Sequence, residues 1–325
     1  MPQHALLRFL AAMVVGVTLA AGLVVADAVR SPATAAARCT VSVVLRVGSR
    51  GDAVRCLQAR LNALGYSAGP VDGSFGPMTR AAVVRFERAK GLRVDGIADR
   101  RTAKALGIWR PCPAPAGTPT RARRLVVVTA SGTTADVDLR VKRDGVWRCR
   151  RADMFGRVGR NGVRPLRQRR SGDGTTPAGI FSLGTMRAPD GQTFQFFGNG
   201  RNPGVPGTWR QVRAGDCWGA TPGTPRYNRL VFRTASTCNS PDEYLPSITG
   251  AYSRAAIIGA NLGPRRSGDQ PGEPPYAAAI FLHRHSYTGA VSRPTSGCVS
   301  LRAIDLAAVL RWLVPGRTWF VIRSA

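Results

Sequence analysis

The chain has 325 residues, enough for two domains that each bury a core. Its 47 Lys and Arg against 18 Asp and Glu give a formal net charge of +29, so the surface favours polyanions, anionic cell-wall polymers among them. The basic residues are nearly all arginine, and no stretch interleaves dense basic charge with regularly spaced aromatics, which argues against a nucleic-acid partner.

At the N-terminus Arg8 precedes an apolar run from Phe9 to Ala26, and Ala33-Thr34-Ala35-Ala36-Ala37 follow. This pattern over residues 1–37 is that of a secretory signal with a small-residue cleavage site. The run is also long enough to remain as a single-span anchor. Under either reading the rest of the chain is expected to face the outside of the cell, and it meets a membrane only if the segment is retained.

Export favours oxidised cysteine pairs, and the chain carries seven cysteines: Cys39, Cys56, Cys112, Cys149, Cys217, Cys238 and Cys298. An odd count leaves one thiol over, and Cys298, approached through Ser296-Gly297, is the candidate. Cys39 and Cys112 bracket the following helical segment and are candidates to staple its ends, with Cys217 and Cys238 as a further pair. Spacing alone leaves both connectivities open.

Residues 38–110 read as a small all-α module of three helices. Val54, Leu57, Leu61 and Leu64 form a one-sided apolar stripe ended by Gly65. Val71-Asp72-Gly73 with Thr79 recurs 23 residues later as Val94-Asp95-Gly96 with Thr102. Each copy places an Asp-Gly turn before a helix that Thr is expected to cap, the second helix turning Val83 and Phe86 inward and the third Ala103 and Leu106. The stretches Leu45-Arg46-x-Gly48-Ser49-x-Gly51-x-x-Val54, Leu64-Gly65-Tyr66, Val71-Asp72-Gly73-x-Phe75-Gly76 and Thr79-x-x-Ala82-Val83-x-x-Phe86 resemble the peptidoglycan-binding domain found beside many cell-wall hydrolases. The resemblance implies that peptidoglycan is the partner of this module.

Residues 111–124, rich in Pro, Ala and Thr, read as a semi-extended linker. From Leu125 to Ala325 the texture is mostly β. Leu125–Thr129 is a strand candidate, and Ala135–Val141 alternates with period two before the turn Asp144-Gly145. Short apolar runs, Ile180–Leu183 and Arg229–Phe232, follow between Gly- and Pro-rich loops. One glycine-rich stretch, Phe155-Gly156-Arg157-Val158-Gly159-Arg160-Asn161-Gly162, precedes Gly174-Thr175-Thr176-Pro177-Ala178-Gly179; taken alone it says only that the chain turns.

The chemistry concentrates between Ala277 and Leu301. If 280–285 is a strand, Phe281, His283 and His285 share a face, so both imidazoles point the same way. After Cys298, Ser300 is expected to cap a helix carrying Ile304, Leu306, Val309, Leu310 and Leu313 and ended by Pro315-Gly316. The helix dipole would then favour the thiolate, and the N–H groups around Gly297 and Cys298 would face a developing oxyanion. A cysteine and a histidine on separate elements suit acyl transfer through a thioester. Zinc held by His283, His285 and Cys298 is the alternative chemistry.

Ala279-Ile280-Phe281-Leu282-His283, Pro294-Thr295-Ser296-Gly297-Cys298-Val299-Ser300-Leu301 and Gly174-Thr175-Thr176-Pro177-x-Gly179-x-Phe181 together resemble the L,D-transpeptidase catalytic domain of the YkuD type. The resemblance implies a β-rich domain acting on peptidoglycan stem peptides, with Cys298 as nucleophile, His283 as base, Ser296 and Gly297 at the oxyanion and substrate, and neither cofactor nor metal. The family's Ser-His-Gly-Cys is here Thr295-Ser296-Gly297-Cys298, so Ser296 replaces a motif histidine. This departure leaves room for a wall-binding protein with a decayed catalytic domain, or for compensation by His285.

Overall fold

The computed structural model describes residues 39–263 and 265–325, so the expected signal or anchor over 1–37 lies outside the described residues. Among the described residues no helix is long and apolar enough to cross a membrane.

The N-terminal module contains α1 Asp52–Ala63, α2 Pro77–Ala89 and α3 Arg100–Ala105. Val54, Leu57, Leu61, Val83, Phe86, Ala103 and Leu106 close its core, and Leu64, just past α1, is exposed. The 23-residue repeat has a structural meaning different from the expected caps. Thr79 and Thr102 lie inside α2 and α3, which begin after Gly76 and Asp99, and only Asp99 caps, accepting from the N–H groups of Arg101 and Thr102. The threonine hydroxyls instead meet one buried polar side chain per copy. Gln58 donates from Nε2 to Thr79 Oγ1 at 3.1 Å and accepts from the Gly73 N–H at 2.9 Å. Thr102 Oγ1 donates to Glu87 Oε1 at 3.0 Å while Glu87 Oε2 accepts from the Gly96 N–H at 2.9 Å. Each Asp-Gly turn is thus held by the preceding helix, which satisfies backbone donors that would otherwise be buried without partners.

The disulfides correct one expectation. Cys39 pairs with Cys56 and Cys112 with Cys149, while Cys217 pairs with Cys238 as expected and Cys298 is free. The first bridge ties the strand-like entry of the module to its own α1. The second ties the Pro-rich segment to the β domain, where Ala114 and Ala122 pack on Leu125, Val127 and Val321. Residues 111–123 therefore run against the sheet. At the junction Arg110 bridges Asp153 at 2.8 Å and Asp138 at 3.6 Å.

The C-terminal domain is mostly β. Eleven of its strands join one sheet: β1 Arg124–Ser131, β2 Thr134–Arg143, β3 Val146–Arg157, β4 Val163–Pro165, β5 Thr176–Ser182, β6 Phe196–Gly198, β7 Trp209–Gln211, β8 Ala255–Ile257, β9 Phe281–Arg284, β10 Val299–Leu301 and β11 Thr318–Ser324. Their order is β4-β5-β11-β1-β2-β3-β10-β9-β8-β6-β7. β1 is buried on both faces, which is why its sequence is a continuous apolar run rather than an alternation. Val126 and Val128 meet one core, Leu125 and Val127 the other. β2 and β3 form a hairpin through Asp144 and Gly145, both at positive φ (50° and 75°), the conformation that two-residue hairpin turns demand.

Helix α4, Ala303–Trp312, lays Leu306, Val309 and Leu310 on the first core, with Leu313 just beyond its end. Ile304, expected on the buried face, is 76% exposed because it falls on the outer side of the first turn. Ser300 does not cap this helix. It belongs to β10, and Arg302 occupies the cap position without a side-chain capping bond. A three-residue strand therefore separates Cys298 from the helix.

Candidate active site

Two neighbouring strands near the middle of the sheet position the candidate residues: His283 lies on β9, and Cys298 immediately precedes β10. β9 and β10 run parallel with His283 opposite Ser300, and β8 flanks β9 with Ala255 opposite His283. Side chains alternate along β9, so Leu282 enters the first core while Phe281 enters a second that also contains Cys298. Phe281 is clamped edge-on by Phe197 (4.9 Å), Trp218 (4.8 Å) and Tyr252 (5.4 Å). That clamp fixes the backbone beneath the cysteine.

Cys298 is 7% exposed. Its Sγ accepts from the Phe281 N–H at 3.3 Å and donates to the Ala279 carbonyl at 3.2 Å. Ala279 holds a φ of 52°, uncommon for a residue with a Cβ, and thereby presents its carbonyl to the thiol. Burial pushes the thiol up to about 12, with the nearby Glu243 charge adding to the effect; the Phe281 N–H, the Tyr252 hydroxyl and Arg169 pull the other way. The expected helix-dipole activation is thus overturned, because the helix begins beyond β10 and desolvation dominates at the thiol. At neutral pH the resting cysteine is a thiol.

The loop before Cys298 is pinned by two threonines. Thr295 Oγ1 donates to the Cys298 carbonyl at 2.7 Å and accepts from the Gly297 N–H at 3.1 Å. Thr176 Oγ1 donates to the same carbonyl at 3.1 Å and accepts from the Gly159 N–H at 2.8 Å. Gly297 has a φ of +153°, and a Cβ there would sit 3.1 Å from the Thr175 carbonyl oxygen and 3.4 Å from a guanidinium nitrogen of Arg169. The Gly297 N–H is committed to Thr295. That leaves the Cys298 N–H as the donor of the expected oxyanion pair that is free among the described residues.

His283 is buried, and its Nδ1 lies 2.7 Å from the Arg284 carbonyl oxygen. A carbonyl only accepts, so Nδ1 carries the hydrogen and Nε2 keeps its lone pair. Burial lowers its pKa to about 4, against the smaller opposing effect of the Arg284 hydrogen bond. The imidazole is neutral at pH 7. His285 has a different environment. Its Nδ1 lies 2.8 Å from Ser300 Oγ, Phe155 and Tyr287 pack edge-on against its ring, and its buried Nε2 has no partner among the described residues.

Cys298, His283, Gly297 and Ser296 line one cleft of about 730 Å³; His285 is not part of its wall. Ser296 is exposed on the rim, where Arg160 Nη1 donates to its hydroxyl at 3.3 Å. Among the described residues, the metal-ligand group that converges is Cys112, Asp138 and Cys149, whose two thiols form a disulfide. His283, His285 and Cys298 do not converge in this way.

Sequence reasoning missed Tyr252 and Glu243. The Tyr252 hydroxyl donates to Glu243 Oε2 at 2.6 Å, its ring stands edge-on to His283 at 5.4 Å, and the hydroxyl also faces the Cys298 thiol. Burial raises Glu243 to about 7. Neither residue lies in a recognisable motif: the turn Ala251–Ser253 brings in Tyr252, and the pairing of Glu243 with Trp218 brings in Glu243.

The chain thus combines a β-rich domain, in which a free cysteine just before one strand and a buried histidine on its neighbour line one cleft, with a small helical module. A family model for the L,D-transpeptidase catalytic domain (YkuD) matches residues 124–322, and one for a peptidoglycan binding domain matches residues 50–106. The chain belongs to the L,D-transpeptidase family, and its two domains are those of a peptidoglycan-modifying enzyme.

Similar proteins include an uncharacterised protein of Kitasatospora aureofaciens, 43% identical over 95 residues, covering 27% of this chain and 80% of that one. A zinc D-Ala-D-Ala carboxypeptidase of Streptomyces albus G is 49% identical over 67 residues, 19% of this chain; the match spans only 26% of that enzyme's length. Among solved structures, an L,D-transpeptidase of Xylanimonas cellulosilytica aligns at 20% identity and TM-score 0.30, over 87% of this chain and 98% of that one.

Proposed function

We propose that the chain is an exported cysteine acyl-transferase of the L,D-transpeptidase type, held on peptidoglycan by its helical module. Cys298 Sγ attacks a stem-peptide carbonyl while His283 Nε2 takes the thiol proton. The tetrahedral oxyanion meets the Cys298 N–H. Collapse breaks the C–N bond, leaves a thioester on Cys298, and passes the proton from the imidazolium to the departing amine. A second amine, or water, then attacks the thioester with His283 again as base. An amine acceptor yields a cross-link, and water yields a shortened stem.

Because the thiol is pushed up to about 12 and the imidazole down to about 4, the resting pair is neutral. Proton transfer therefore accompanies attack rather than preceding it. The observation that carries this reading is the free Cys298 in one cleft with a histidine whose Nδ1 is committed to a carbonyl. The basic surface suits an anionic envelope, and residues 1–37 supply the export signal or anchor. Incubating the ectodomain with peptidoglycan tetrapeptides and resolving products by mass spectrometry tests the proposal, with Cys298→Ala and an added chelator as controls. Absence of a thiol-dependent product would sink it.

A further inference from the structure

The glycine-rich stretch around Gly159–Gly162, uninformative as sequence, brings Arg160 to the wall of the cleft. The Arg160 N–H donates to the Thr295 carbonyl at 2.8 Å and the Asn161 N–H to the Gly174 carbonyl at 3.0 Å, so the stretch is stitched to the loops on either side of the cysteine. The Arg160 side chain lies across Gly174, where φ is +75° and a Cβ would come within 2.9 Å of the Arg160 guanidinium carbon. Only a glycine leaves that path open. The guanidinium is then held by two neutral oxygens, donating from Nη2 to the Gly172 carbonyl and from Nη1 to Ser296 Oγ, each at 3.3 Å.

The charge of Arg160 is not compensated. Arg169, the deeper arginine of this wall, is 2% exposed and spends its donors on the Tyr276 carbonyl and on Asp173 at 3.5 Å. Arg160 makes no ion pair among the described residues, and neither does Arg293, although both line the cleft. The acidic residues of the opposite wall are committed elsewhere: Asp242 to Arg226 and to the Thr221 hydroxyl, Glu243 to Tyr252. A positioned, unpaired guanidinium that lines the same cleft as the nucleophile and bonds to Ser296, two residues before it, is suited to a bidentate anion.

We propose that Arg160, positioned by Ser296 and Gly174, binds a free carboxylate of the substrate peptide, that of the residue released when Cys298 attacks. This rests on the acyl-transfer reading and deepens it by assigning the substrate a charged end. It also gives Ser296 a purpose where the family carries histidine: its hydroxyl accepts from Arg160 without adding a further positive charge beside it.

The test compares a stem tetrapeptide as free acid and as C-terminal amide, binding to the Cys298→Ala protein by calorimetry at low and high salt. The acid is expected to bind at least about tenfold tighter, a charge-assisted pair's worth, with the preference shrinking in salt. Arg160→Gln is expected to bring the two peptides within about twofold, Arg160→Lys to keep part of the preference, and Ser296→Ala to fall between. Equal affinity for acid and amide, no binding of either, or a preference that survives Arg160→Gln would each overturn the assignment. Acylation of the unmutated protein by an uncharged activated ester, read by intact mass, reports the thiol chemistry separately. Its absence counts against the acyl-transfer reading and leaves the acid-to-amide comparison standing.

Discussion

His285 Nδ1 lies 2.8 Å from the Ser300 hydroxyl, and that contact separates two histidines that look equivalent on the strand. His283, two residues earlier, faces the cleft with Nδ1 held by a carbonyl. Replacing His283 with Ala is expected to lower turnover by roughly 10²–10⁴-fold, the range of a lost general base. His285→Asn is expected to keep turnover within a few-fold while lowering the thermal midpoint. Steady-state kinetics beside thermal unfolding of both variants checks the division; equal activity losses would refute it.

The pH dependence of stability follows from the same residues. His285 is lowered to about 4, chiefly by burial, from an unfolded value near 6.5. Between those values the unfolded chain binds the extra proton, so the stability associated with keeping the ring neutral is complete above about pH 6.5 and is lost as pH falls towards 4. Asp153, raised to about 6, and Glu243, raised to about 7, have the opposite sign and flatten the whole-protein curve. The readout is therefore a difference. His285→Asn should gain on the unmutated protein by on the order of 2–3 kcal/mol as pH falls from 6.5 to 4, measured by denaturant unfolding at both ends of that range.

The thiol of Cys298 should react slowly in the folded state. With its pKa pushed up to about 12, alkylation by iodoacetamide at pH 7 is expected to run at least about tenfold slower than for a small free thiol, whose pKa lies near 8.5. Denatured, non-reduced protein should titrate one thiol, and Cys298→Ala none. Glu243→Gln removes a negative charge that raises the thiol, so the inflection of the alkylation rate against pH should move down. An unmoved inflection would mean that the Glu243 charge does not reach the sulfur.

Gly297→Ala should be costly in two ways. Its φ of +153° strains any residue with a Cβ, and the added carbon would press on Thr175 and Arg169. A loss of about 1–3 kcal/mol is expected from backbone strain of this kind, together with a fall in turnover, since the same turn aims the Cys298 N–H. Denaturant unfolding and kinetics on one preparation measure both.

Local patterning carried much of the architecture into the sequence. The 3.6-residue stripe of α1, the apolar run of β1, the Asp144-Gly145 hairpin and the mostly-β texture after Leu125 depend on neighbours a few residues apart, so they could be read before folding. Cysteine parity, on the expectation of export, likewise marked one thiol as left over, and Cys298 is free. What a residue does after folding depends on partners far away in sequence, and there tertiary structure decided. Thr79 and Thr102 look like caps but bond buried Gln58 and Glu87, because the preceding helix passes beneath each turn. Cys39 pairs with Cys56 rather than Cys112 because the entry segment runs parallel to the end of the module, Val41 bridging Trp109, so Cys112 is carried on past it to Cys149 in the β domain. Ser300 looks like a helix cap but lies in a strand, which moves the dipole away from the sulfur and lets desolvation set the thiol. The division between His283 and His285 has the same origin. The two-residue spacing predicts one face for both imidazoles, but β9 ends at Arg284, and only the neighbours packed around each ring, Arg284's carbonyl and the cleft for one, Ser300, Phe155 and Tyr287 for the other, made them chemically different.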